Sequence, residues 1–574
     1  MNRILKRLPV IAVTLSVIFL LLQIFCNLYL PYVIASIVDK GVIVGNISYI
    51  YKQGAFMFGI TLISLVSALG NTLFSAKISY KLGNELRNDI YRKVLSFSKV
   101  EFDKFGSSSL ITRNTNDVNQ VQNLVEMSLK FLIMSPLYLI GGIAMTYSLS
   151  PKLSLVFVAV IPLMFIAAVI INKFASPLYM KMQKNLDHLN LIFKEGLSGV
   201  KIIRAFNKEK WEFDKYQNVN ADYTKTSIKA GTIMSVFIPL ITIAMNFTMI
   251  AIIWIGGHDI SSGSIEVGTL IAVISYSAEI LLGFMILTQV IVAIPRGLAS
   301  AKRINEVLDT KLSIEEIKVF EKKINLKGDL TFENVDFHYP DSTKYTLSDI
   351  SFRVKPGQTL AIVGGTGDGK STLLNLVTRL YDVDNGNICI NKKDVRSISK
   401  HELNEAISFS PQKSTLFFGT IRSNMLLAKS DATDDEIWNA LDIACASEFV
   451  KNLENGLDSP VEKSGGNFSG GQKQRLCIAR TILKNSEIYI FDDSFSALDF
   501  KTDAFIRKSL NTFLADKIKI IVAQRVNTIV DADIIVVLDK GKVTGIGTHK
   551  SLKKSNPVYQ EILASQVYDE EVAI

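Results

Sequence analysis

Apolar residues in the first half of the chain come in runs longer than ordinary soluble helices carry, separated by two long polar stretches of helical pattern. Crossing a hydrocarbon layer takes about 20 predominantly apolar residues. Six stretches qualify, at about 9–35, 54–77, 128–149, 152–172, 231–256 and 265–293. Buried helices of a large soluble core seldom give six such runs in series. The pattern therefore predicts an α-helical polytopic membrane domain over residues 1–310. Beyond it the chain turns charged (Glu315, Glu316, Lys318, Glu321, Lys322, Lys323), which marks 311–327 as a linker. From 328 to 574 short apolar strands alternate with helical segments, the pattern of an α/β domain.

Orientation follows from the loops. Residues 78–127 carry Lys81, Arg87, Arg92, Lys93, Lys99, Lys104 and Arg113, and 173–230 are richer still in lysine. Residues 257–264 carry neither Lys nor Arg. Positive charge stays on the cytoplasmic side, so the N-terminus and both long loops are expected inside. The turn at Lys152 then lies outside, as an exception of one lysine. The first span follows Arg3, Lys6 and Arg7 and is too long for a signal segment, so it is expected to remain as an anchor.

The two long loops have few Gly or Pro breaks. Folded as helical hairpins with legs of about 24–28 residues, they would project roughly 36–42 Å. Their expected tips are 101–106, with Phe102 and Phe105, and 204–211, with Phe206 and Trp211. Aromatics exposed at such tips suit insertion into a partner surface. Inside the sixth span Glu279 carries a costly ionisable group, which is expected to face a cavity or a neighbouring helix. Asn246 with Met245, Phe247, Phe284 and Met285 are candidates to line the same cavity, against ordinary packing as the plainer account.

The formal charge of +9 does not point to nucleic acid, because the basic residues cluster beside the apolar runs, where membrane topology puts them. A mean hydropathy of +0.27 fits the same membrane class. Cys26, Cys389, Cys445 and Cys477 show neither disulfide nor metal-site spacing.

The chemistry lies in the second half. The run Gly364-Gly365-Thr366-Gly367-Asp368-Gly369-Lys370-Ser371-Thr372 follows an apolar strand and opens a helix. Glycines let backbone N–H groups close around phosphate oxygens, and the helix N-terminus adds positive potential. Lys370 is placed to reach the outer phosphates and Ser371 to hold Mg²⁺, so ATP and Mg²⁺ are the expected cofactors. Asp368 puts a carboxylate beside the anion, so its side chain is expected to turn away or to weaken affinity. The strand 488–491 ends at Asp492, a second expected metal ligand. About 20 residues earlier comes Phe468-Ser469-Gly470-Gly471-Gln472.

With these motifs the chain resembles an ATP-binding cassette (ABC) exporter half-transporter over essentially its whole length. The 469–472 run matches the family signature, with Phe468 where Leu is commoner. Tyr339 resembles the aromatic that stacks on adenine. Gln412 resembles the glutamine that senses metal and attacking water. Glu462 resembles the segment that touches the transmembrane loops, and 496–499, ending at Asp499, the loop between paired cassettes. The resemblance implies two cassettes closing face to face, each ATP held between the P-loop of one and the signature of the other.

Two positions depart from the family pattern. Asp493 stands where a Glu polarises the attacking water, and Gln524 where a His contacts the γ-phosphate. Asp shortens the reach by one methylene, and Gln cannot carry a proton near neutral pH. Both losses beside an intact signature imply the degenerate-site subunit of a heterodimer, whose second, non-identical half-transporter supplies the hydrolytic residues. The expected cargo is a drug or other small amphipathic compound, crossing the lipid bilayer of a bacterial plasma membrane. A lipid or peptide exporter subunit, a slow homodimer, and an ATP-gated regulator that moves no substrate stay open as alternatives.

Overall fold

The computed structural model describes residues 4, 6–314, 325–340, 342–523 and 525–572. The chain divides into two compact units: Met1–Leu95 with Ser107–Thr310, and Ser96–Gly106 with Lys311–Ile574. Much of the segment read as a linker, 315–324, lies outside the described residues.

Six helical segments among the described residues of the first unit are long and apolar enough to cross a membrane. The helices Ile47–Leu95 and Pro151–Ser198 have 49 and 48 residues. At 1.5 Å per residue each runs about 70 Å, more than twice a hydrocarbon core of about 30 Å. The long polar loops are thus continuations of the spans themselves. Ser150 caps Pro151–Ser198 by accepting from Leu153 N, with Pro151 in the first turn where its missing N–H costs nothing. Within the bilayer, where lipid tails give helices no hydrophobic reason to associate, small polar groups link them. Ser16 and Ser75 share a hydrogen bond of 2.9 Å, and Asn27 donates to Tyr138 at 2.7 Å.

Gly268 permits a close approach between helices of this unit. A Cβ there would lie 2.3 Å from the Ala35 carbonyl oxygen and 2.4 Å from Asp39 Oδ2, while its N–H donates to Asp39 Oδ1 at 2.6 Å. Lys152, the exception to the charge rule, is paired with Asp259 at 2.6 Å. The lysine therefore brings no net positive charge to that end, and the bond joins the two short turns that sequence placed on one side. At the other extreme of the helices, the buried Asp117 accepts from Arg303 and from Ser300.

In the second unit a six-stranded sheet runs in the order Lys542–Gly547, Ile534–Asp539, Thr359–Gly364, Ile518–Val522, Ile488–Asp492, Ile407–Ser410. All pairings are parallel except that of the edge strand Lys542–Gly547. Parallel strands covered on both faces read as continuous apolar runs. Alternate side chains feed different cores: Ile488 and Ile490 pack on one face, Tyr489 and Phe491 on the other. A smaller antiparallel sheet contains Leu330–Phe337, Leu347–Val354 and Asn385–Ile390.

Ser96–Gly106, expected at the tip of a hairpin, folds with this second unit. Its short helix Lys99–Phe105 opens on a capping box of Ser98 and Glu101. Phe105, expected to be exposed, instead stacks on the buried Phe97 at 5.8 Å, whereas Phe206 and Trp211 of the other tip are 71% and 61% exposed. Glu101 is buried and accepts from Ser98 N and Ser313 N, each at 2.7 Å. Burial would raise its pKa; the bonds from Ser98 and Ser313 overcome this and hold the carboxyl below its ordinary value. Stability from this ionised group is present above the ordinary value and is lost as pH falls through the lowered one. Glu101→Gln is expected to loosen the segment at neutral pH, seen as faster hydrogen exchange of the 96–106 amides and a weaker pH dependence of that exchange.

Candidate functional site

In a parallel sheet the carboxyl ends of neighbouring strands open onto one crevice, and ligands bind there. Thr359–Gly364, Ile518–Val522 and Ile488–Asp492 are such neighbours, with Val522 in register with both Ile362 and Asp492. This brings the P-loop, Asp492 and Asp493 together from distant parts of the sequence. Gln524, two residues past its strand, lies outside the described residues.

The P-loop carries Gly365, Thr366 and Gly367 from the strand end to helix Lys370–Val377. Gly367 and Gly369 both have φ of +96°, which an L side chain resists. At Gly369 a Cβ would also lie 2.6 Å from Leu347 Cδ2. Lys370 Nζ donates to the carbonyls of Gly364 and Gly365 at 2.8 and 2.6 Å. Burial lowers its pKa, while Asp368, Asp492 and Asp493 pull the other way. Asp368 accepts through Oδ1 from Lys540 N at 3.0 Å, while its Oδ2 stays beside Gly364 and Gly365, 3.1 Å from where a Cβ of either would stand.

Ser371 hydrogen-bonds Asp492. The Asp492 carboxyl is held above its usual range, first by burial and then by the charge of Asp493, against the Ser371 bond. Asp493 has φ of +50°, and its N–H donates to Val522 O at 2.9 Å, tying the two strand ends. Gln412 Nε2 lies 3.5 Å from Asp493 Oδ2. Two carboxylates, a hydroxyl and an amide thus meet beside an ammonium group. This donor set fits Mg²⁺ with a polyphosphate: Ser371, Gln412 and Asp492 would hold the metal, and the P-loop with Lys370 the phosphates. A bound Mg²⁺ supplies positive charge that neutralises phosphate oxygens.

Tyr339 packs edge-on against Phe337 and Tyr381, and its hydroxyl bonds Thr372 Oγ1 at 2.8 Å. Sequence gave no sign of the next link. Tyr381 Oη donates to Asp103 Oδ2 at 3.2 Å, so a polar and aromatic chain runs from segment Ser96–Gly106 through Tyr381 and Tyr339 to the P-loop helix.

The signature opens helix Gly470–Leu483. Ser469 is its N-cap, accepting from Gln472 N while Gln472 Oε1 accepts from Ser469 N. The helix N-terminus and its two glycines form a surface suited to an anion. Phe468 is buried in the core, which accounts for an aromatic at a position where Leu is commoner. Gln474, which sequence did not single out, accepts from Ala497 N at 3.0 Å and donates to Ser496 Oγ at 3.3 Å. It locks the 496–499 loop to the signature helix. Asp499 caps the next helix, Phe500–Phe513, accepting from Thr502 N at 3.0 Å. Glu462 N donates to Asn467 Oδ1, holding the approach to the signature.

Within the spans, Met164, Ile241, Leu281 and Phe284 form a packed cluster that Met245 and Met285 flank. A cavity of about 130 Å³ beside it is lined by Phe165, Asn172, Met234 and Phe284 among others. Glu279 is half-buried and Asn246 exposed, and neither lines this cavity.

Residues 13–285 match the ABC transporter transmembrane region and 347–496 the ABC transporter cassette. The chain is 38% identical, over 95% of its length and 94% of the relative's, to an uncharacterized ABC transporter ATP-binding protein of Mycobacterium tuberculosis. It is 34% identical, over 96% of each chain, to the uncharacterized ABC transporter ATP-binding protein YfiB of Bacillus subtilis.

This chain is an ABC exporter half-transporter.

The exporter is also 30% identical, over 93% of each chain, to a Rickettsia felis protein named for export as an ATP-binding/permease protein. Its fold matches a bacterial Atm1-family ABC exporter solved with ATP bound, at a TM-score of 0.82 over 97% of this chain and 99% of that one, with 24% identity. An ABC exporter of this kind is an ATP-binding, multi-pass membrane transport ATPase.

Proposed function

We propose that this exporter chain is the degenerate-site half of a heterodimer that moves drugs or other small amphipathic compounds out of a bacterial cell. Its N-terminus and cassette face the cytoplasm, and its partner is a second, non-identical half-transporter. Asp493 carries this reading. By the family resemblance this side chain stands for the catalytic carboxylate with one methylene less reach, and its neighbours Gln412 and Asp492 support that reading. A misplacement of about 1 Å can cost roughly a hundredfold in rate. Gln524 adds a second loss, because an amide cannot shuttle a proton as imidazole does.

The intact face formed by Ser469, Gly470, Gly471 and Gln472 completes the partner's hydrolytic site, whose own signature is the imperfect one. The P-loop, Tyr339 and Asp492 of this chain hold nucleotide with slow turnover. A ligand that binds the closed pair more tightly than the open one keeps the cassettes together. Glu279 and Asn246 are the proposed contacts of the substrate, with Glu279 favouring cationic compounds.

Purified alone, the chain is expected to show little ATPase activity in nanodiscs, and co-purification with its partner to restore it. Vigorous turnover by the lone homodimer would sink the proposal and favour the second reading, a homodimeric exporter using the carboxylate that Asp493 retains.

A further inference from the structure

The cassette unit holds another recess, of about 410 Å³, between one face of the six-stranded sheet and helix Phe500–Phe513, closed at its side by residues 528–532. Its floor is apolar: Phe491, Leu510, Ile521 and Ile529 line it and are all buried. One residue of that floor is charged. Lys519 is 4% exposed and follows the alternation of its strand onto the same face as Ile521. Among the described residues its ammonium group makes one hydrogen bond, a long one of 3.4 Å to the carbonyl of Leu514 at the end of the helix.

An ammonium group has three donors, and a buried cation is kept only where partners satisfy it. Helix capping uses one donor and leaves the others directed among the lining side chains. Arg507, at the wall of the recess, is occupied by Asp503 at 3.1 Å, by Thr528 O at 3.3 Å and by Asp531 at 3.9 Å. Lys508 and the exposed Asp531 stand at the rim, and Asp533, which accepts from Thr359 N at 2.8 Å, also acts on Lys519. With Arg507 paired and Lys508 exposed at the rim, Lys519 is the cation over the apolar floor, and a single buried ammonium suits a monoanion rather than a dianion such as phosphate. The volume falls in the range of small-molecule sites, about 300–1,000 Å³.

We propose that this recess binds a small amphipathic carboxylate, its head on Lys519 and its apolar body against Phe491, Leu510 and Ile529, and that the occupant regulates ATP turnover. The regulatory half follows from connectivity and rests on the transport-ATPase reading. Helix Phe500–Phe513 continues directly from the 496–499 loop, and 528–532 from the segment after Val522. An occupant wedged between them therefore biases two segments that lead into the catalytic loops. The binding half stands without that reading.

The test uses the full chain in nanodiscs and benzoate as probe, with benzyl alcohol as the neutral counterpart, read by saturation-transfer NMR without ATP. Benzoate is expected to bind saturably and benzyl alcohol at least about tenfold more weakly, the loss of one charge-assisted bond. Lys519→Met should weaken benzoate by a similar factor. Ala504→Trp, which places an indole at the exposed mouth of the recess and keeps the lysine, should block entry and abolish binding; it carries the test if the lysine variant does not fold. No benzoate binding to the wild type, or equal binding to Ala504→Trp, would overturn the site. ATP turnover of the chain with its partner should change over the same benzoate range in the wild type and not in Ala504→Trp. Saturable binding with unchanged turnover would overturn the regulatory half alone.

Discussion

With Glu at position 493 and His at 524, the chain purified on its own is expected to hydrolyse ATP at least about a hundredfold faster than its wild-type homodimer. Each single change should recover less, because the two groups act on the same step and their effects do not add. The reason is geometric. Asp493 is buried at the end of a central strand, with its N–H fixed to Val522 O, so the backbone cannot move forward to make up the missing methylene. Glu at that position extends the carboxylate without asking the strand to shift. Steady-state release of phosphate from nanodisc-held protein measures this directly. A double variant no faster than wild type would count against Asp493 and Gln524 as limits on turnover, and with them against the proposed degenerate site. Unchanged nucleotide affinity would locate the gain in chemistry, since the P-loop and Tyr339 are untouched.

The second large effect separates this chain's two faces. In the complex with its partner, Gly470→Glu is expected to lower ATP turnover by about 10²–10³, the scale of losing preorganised stabilisation of a developing anion. The new carboxylate stands at the N-terminus of helix Gly470–Leu483, where an anion from the partner's site is expected, and repels it. Lys370→Met in the same chain should instead leave most turnover intact and remove nucleotide retention at this chain's own P-loop. The ranking is the informative result. If the lysine variant is the more damaging, hydrolysis runs at this chain's own pocket and the division of labour is reversed. Gly470 can be changed with limited risk to the fold, since a Cβ there meets only Ala497 Cβ, at 3.8 Å.

Much of this protein was legible in order along the chain. The six spans follow from apolar run length, because a long continuous apolar run crossing lipid satisfies its backbone within itself only as a helix. The motifs at 364–372 and 469–472 follow from local backbone demands, glycine at φ of +96° and a serine cap, which act over a few residues. The resemblance of those motifs carried the family, which relatives covering nearly the whole chain then bore out. Other features were hidden for a physical reason. Tyr381 with Asp103, Gln474 with Ala497, and Lys152 with Asp259 are pairs far apart in sequence, and neither partner is unusual where it stands. Phe105 reads as an exposed tip because its cover, Phe97, is supplied by a turn that no periodicity marks.

Sequence alone determined that this chain spans a membrane and binds ATP, because each depends on residue type and short-range spacing. Tertiary structure decided where segment 96–106, with its expected tip 101–106, belongs, that Asp368 bonds Lys540 N, and that a lysine sits buried behind the sheet. Those outcomes depend on which strand lies next to which, and in a parallel sheet that order is set by crossovers between distant segments.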